Sequence, residues 1–200
     1  MSAHLVSLDQ QLQAFKNRRF LAMPLAGTLA WALILVAGQV LAPRWHLLTT
    51  YLLTGCIAYL GMGLSKLTGE DFMAKENRGN RFSVLFMLCM GQALLAFAIA
   101  IPFAIIEPRS AVFMVGMLAG FMWLPITGLI GHWIGAAHAI GRTVMILAAW
   151  FLVPDQGMVV VPLIVLGWYA LTIPVLERRW AQIQRQQPRA DAASSSLMAA

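Results

Sequence analysis

The chain has 200 residues, 60% of them hydrophobic and 11% charged, with a mean hydropathy of +0.75. Soluble domains usually carry about 25% charged residues, and a water-soluble fold of this size could not hide so much apolar surface. The net charge of +6 sits in the gaps between apolar runs, with no basic patch or recognition motif. The expected partner is therefore a lipid bilayer and not nucleic acid.

Residues 1–19 place Leu5, Leu8, Leu12 and Phe15 at helical spacing ahead of Lys16, Arg18 and Arg19. They read as an amphipathic N-terminal segment, either a short helix on the membrane surface or a loose tail. A signal peptide is not expected, because the apolar run that follows is too long and five more come after it. The first run, 20–41, has no ionisable residue and is long enough for a hydrocarbon core of ~30 Å. Ala42-Pro43-Arg44 turns the chain into a second run, 45–64. The one substantial loop, 65–81, holds Lys66, Glu70, Asp71, Lys75, Glu76, Arg78 and Arg81, with Gly69, Gly79 and Asn80 for turns.

A third run, 82–106, ends at Glu107-Pro108-Arg109 and is followed by a fourth, 111–130. One helix from Ala111 to Val153 would be about 65 Å long, twice the membrane, so the chain must turn; Gly131 to Gly135 is the best place. The fifth run is 133–153, closed by Pro154-Asp155-Gln156-Gly157. The sixth is 158–176, and residues 177–200 read as a basic, disordered tail. The fold class is all-α, a polytopic membrane bundle of six transmembrane helices.

With the N-terminus inside, eleven Lys and Arg fall on the inner side: Lys16, Arg18, Arg19, Lys66, Lys75, Arg78, Arg81, Arg178, Arg179, Arg185 and Arg189. Two, Arg44 and Arg109, fall outside, and Arg142 lies in the fifth run. This bias predicts both termini in the cytoplasm, in agreement with an even number of spans. Trp45, Trp133, Trp150 and Trp180 fall near expected interfaces, whereas Trp31, Trp123 and Trp168 fall inside spans and read as packing residues.

Ionisable residues at membrane depth are the best pointer to function, since each costs a few kcal/mol to bury in lipid. Arg142 and His138 share a helix face. They read in two ways: a cytoplasm-facing cavity in which Arg142 binds an anionic small molecule, or an arginine that snorkels inward and pairs with Glu70, Asp71 or Glu76. His132 and His138 are six apart, whereas a helical metal pair wants three or four; no metal or other cofactor is expected. Gln39 and Gln92 are the other polar side chains at depth, suited to interhelical hydrogen bonds and, less directly, to lining a cavity. Gly116 and Gly120 form a GxxxG that serves packing inside the bundle or a homo-oligomer. Met122-Trp123-Leu124-Pro125 marks a kink. Cys56 and Cys89 lie singly inside apolar runs and read as small buried hydrophobes.

Two stretches carry a resemblance. One is Gly63-Leu64-Ser65-Lys66 with Gly69-Glu70-Asp71-Phe72 and Lys75-Glu76-Asn77. The other is Met122-Trp123-Leu124-Pro125 with Gly131-His132-Trp133-Ile134-Gly135, His138-Ala139-Ile140 and Arg142-Thr143. Over roughly residues 50–176 the chain resembles a family of small bacterial multi-pass membrane proteins whose domain has no assigned function. The resemblance implies a bacterial inner-membrane location and one inner-face cluster of Lys66, Asp71, His132, His138 and Arg142. The expected function is a small transporter, a channel-like protein or its membrane subunit. The alternatives are an intramembrane enzyme using His132, His138 and an acidic residue, or a scaffold with no small-molecule site.

Overall fold

The computed structural model describes residues 7–70, 72 and 79–198. The protein is all-helical, without strands among those residues. Helix α1 is Leu8–Lys16 and α2 is Ala22–Val40. The second span is broken into α3, His46–Gly55, and α4, Ile57–Thr68. Helix α5 is Arg81–Ile106. The fourth span is broken into α6, Ser110–Phe121, and α7, Trp123–Ile130. Helix α8 is Ile134–Leu152 and α9 is Gly157–Met198. Six of these units are long and apolar enough to cross a membrane, and their limits lie close to the six runs read from sequence.

The breaks have local causes. Pro125 cannot donate to the carbonyl four residues back, at Phe121, and the helix is interrupted next to it, at Met122. Thr54 donates its hydroxyl to the Thr50 carbonyl at 2.6 Å, competing with the backbone just before the break at Cys56. Gly131 ends α7 with φ +64°, a left-handed conformation suited to glycine, and supplies the turn the length argument required. Phe20 also has a positive φ, 60°. For a bulky residue this costs ~1–3 kcal/mol, and it is held by the Phe15 ring at 5.3 Å.

Helices α2, α6–α7, α8 and α9 form the packed heart: α2 lies against α4 and α9, and α8 against α6, α7 and α9. Helix α5 touches chiefly α6 and is the least buried span. At the opposite end from α1, Arg109 pairs with Glu107 at 2.9 Å and also with Asp155, joining the third-to-fourth and fifth-to-sixth connections.

Two expectations are corrected. From residue 7 onward the segment before the first span is neither a loose tail nor merely a surface helix: α1 begins with a Ser7–Gln10 capping box and docks on α5 and α7, burying Phe15. The expected tail is helical as far as Met198. Ala, Gln, Arg and Glu favour helix, and the first turns are tied down. Arg19 donates to both Glu177 oxygens at 2.8 and 2.6 Å, and Arg179 donates to the Lys16 carbonyl at 2.6 Å. The stretch before the first span and the α9 residues just after 176 therefore meet at one end of the bundle.

Candidate functional site

Arg142 lies eight residues into α8, about 12 Å from its start, too deep for its side chain to reach the interface. The guanidinium is 0% exposed, so it does not snorkel. Its other expected partners do not serve it. Glu70 is committed elsewhere: one carboxylate oxygen accepts from the Leu21 and Ala22 amides at 2.8 and 2.7 Å, capping α2. Asp71 and Glu76 lie outside the described residues.

The surroundings of Arg142 are aromatic and small. Its guanidinium carbon lies 5.4 Å from the Trp31 ring centroid, a cation–π contact. The Tyr169 phenol is an electrostatic neighbour, yet none of the three guanidinium nitrogens makes a hydrogen bond of ordinary geometry to a described group. Gly120 leaves room for the stem: a Cβ there would stand 3.3 Å from Arg142 Cδ.

One turn nearer the basic end, His138 is also 0% exposed. Its ring stacks on Trp123 with centroids 4.3 Å apart and lies 5.2 Å from Tyr169 and 5.8 Å from Trp168. Nδ1 is 2.8 Å from the hydroxyl of Thr172, itself fully buried on α9. Gly135, one turn earlier, lets α8 approach α7 so closely that a Cβ would lie 2.5 Å from the Trp123 carbonyl oxygen.

Eleven buried side-chain polar atoms among the described residues have no hydrogen-bond partner, and seven of them belong to this neighbourhood. They are the three Arg142 nitrogens, His138 Nε2, the Trp31 and Trp168 indole nitrogens and the Thr127 hydroxyl. Five of the seven can only donate. A region rich in unmet donors and one fixed positive charge suits an acceptor-rich, negatively charged group.

The remaining candidates lie apart from this centre. His132 is half-buried at the turn between α7 and α8, where its Nδ1 accepts from the Ile134 amide at 3.2 Å. Burial, reinforced by the charge of Arg179, lowers its pKa below the ordinary 6.5. Lys66 is exposed on α4, and Gln92 is exposed on α5 in a shallow groove shared only with that helix. The implied inner-face cluster thus resolves into a buried His138–Arg142 pair, an interfacial His132 and a separate Lys66. No group of three or more His, Cys, Asp or Glu able to hold a metal occurs among the described residues. Gly116 and Gly120 face the chain's own Val161, Ile146 and Arg142. Sequence reasoning did not assign Thr172, Tyr169, Trp31 or Trp123 to the site; apolar periodicity gave no sign that their faces converge on Arg142.

A family model of unknown function, DUF7010, matches residues 9–179, from the start of α1 into α9. The chain belongs to the DUF7010 family. No curated protein and no solved structure matches it.

Proposed function

We propose that this protein is a small transporter or channel-like membrane protein that binds a small anion between α2, α6–α7, α8 and α9, with Arg142 as the charged ligand-binding residue. The observation that supports this reading is the fully buried guanidinium that has no carboxylate beside it and makes no hydrogen bond of ordinary geometry among the described residues, with only the Tyr169 phenol and the Trp31 ring against it. An uncompensated charge at membrane depth costs ~3 kcal/mol or more, so keeping it there calls for a return that structure alone does not give. His138, held by Thr172 and stacked on Trp123, is placed to donate a second hydrogen bond or to carry a proton with the anion. The complete burial of Arg142 and His138 fits an occluded state, and the breaks at Cys56, Met122 and Gly131 supply joints for opening it. In this reading the basic end faces the cytoplasm of a bacterial inner membrane.

The test titrates chloride, acetate and inorganic phosphate into the purified protein in phosphatidylcholine nanodiscs and follows tryptophan fluorescence, with flux of the responding anion measured in proteoliposomes. We expect a saturable response and flux in the wild type, both lost in Arg142→Met. A folded wild type that responds to none of the three, or an Arg142→Met variant that responds equally, would leave the scaffold reading, which the close packing of the interior favours.

A further inference from the structure

A second site lies at the basic end, distinct from the buried pair. A cavity of about 390 Å³ opens between α1 and α9, lined by Gln13, Lys16, Asn17, Arg179, Gln182 and Gln186 among others. Among the described residues its polar lining carries two positive charges and no carboxylate. Glu177 accepts two bonds from Arg19 and Glu70 caps α2, while Asp9 stands one turn before Gln13 on α1, outside the lining. Arg179 is held rigidly, one terminal nitrogen on the Lys16 carbonyl at 2.6 Å and its guanidinium carbon 5.9 Å from the Phe20 ring centroid. Its other terminal nitrogen is buried and has no hydrogen-bond partner. A guanidinium fixed along one edge and a nearby ammonium give the cavity a positive lining that suits an oxyanion, with glutamine and asparagine amides as further donors.

The level in the fold fits the edge of a bilayer. Among the described residues of α9, Arg179 follows the last fully buried apolar one, Leu176, by three positions, a rise of about 4.5 Å. Trp133 is exposed at this end, and Trp180 is covered by the Arg19 guanidinium at 4.8 Å, as expected of indoles at headgroup depth.

We propose that this cavity is a phosphate-binding site, filled by the headgroup phosphate of an anionic lipid or by a free phosphate, with Arg179 and Lys16 as its charged ligands. The site ties α1 to α9, so occupancy holds the two ends of the chain together.

The experiment compares thermal unfolding of the full chain in nanodiscs of phosphatidylcholine alone, of phosphatidylcholine with phosphatidylglycerol, and of phosphatidylcholine with millimolar inorganic phosphate. Either addition is expected to raise the midpoint by several degrees, and Arg179→Gln and Lys16→Gln are each expected to remove most of the rise. A rise with phosphatidylglycerol only identifies a lipid; a rise with inorganic phosphate as well identifies the free anion. No rise with either, or a rise that survives both substitutions, overturns the proposal. Arg142→Met must leave the phosphatidylglycerol effect intact, so the two sites fail separately. Arg179→Lys, which keeps charge but loses the planar fork, is expected to restore only part of the effect.

Discussion

At the scale of single residues the molecule is organised around an unusual expense, a lone guanidinium enclosed by aromatic rings. Replacing buried charge by a well-packed apolar side chain is often stabilising, by about 1–4 kcal/mol. Arg142→Met is therefore expected to raise the unfolding midpoint of the purified protein while abolishing its response to anions. A fall in the midpoint would mean that Arg142 is a structural element after all. His132 gives a pH prediction. Its pKa is lowered in the fold, so the unfolded chain binds a proton at a pH where the folded chain does not. Its contribution to stability is complete above about pH 6.5 and is lost as pH falls through the folded value. His132→Gln should flatten that slope in unfolding midpoints taken between pH 8 and 5. The sequence made Arg142 and His138 legible because charge at membrane depth is rare. It could not show that Arg142 stays inside, because that depends on α8 starting at Ile134, on Gly120 leaving room and on Glu70 being spent on another helix.

At the scale of elements, hydrophobic length located six spans and a glycine located the turn at Gly131. The breaks at Cys56 and Met122 were less visible, since a proline kink and a threonine back-bond alter direction without altering hydropathy. The docking of α1 was hidden for a different reason: its apolar stripe looks the same whether it meets lipid or protein. Asn80 is the joint that fixes it. Its side chain accepts from the Phe82 and Ser83 amides at 2.9 and 3.2 Å, capping α5, and donates to the Gln11 carbonyl at 2.7 Å. Asn80→Ala loses both functions. It should cost about 1–2 kcal/mol and speed proteolytic cleavage next to α1 without changing the six-span topology. Protease protection equal to wild type would show that Phe15 burial alone holds α1.

At the scale of the whole molecule, contacts of Arg19 with Glu177 and of Arg179 with Lys16 join the stretch before the first apolar unit to the sixth, which predicts an even number of crossings. In a cysteine-free background, single cysteines at Ser7 and Arg185 should be labelled by a membrane-impermeant maleimide from one face of oriented vesicles. Those at Arg44 and Asp155 should be labelled from the other. Mixed labelling of Ser7 and Arg185 would refute the even count.

The engagement of Glu70 with the Leu21 and Ala22 amides bears on biogenesis. The acceptor for the leading helix's entry amides is synthesised some fifty residues after them, beyond the second crossing. The opening hairpin can complete its hydrogen bonding only once that later stretch has left the ribosome, which makes the pair of crossings, and not the first one by itself, the smallest unit able to mature in the membrane.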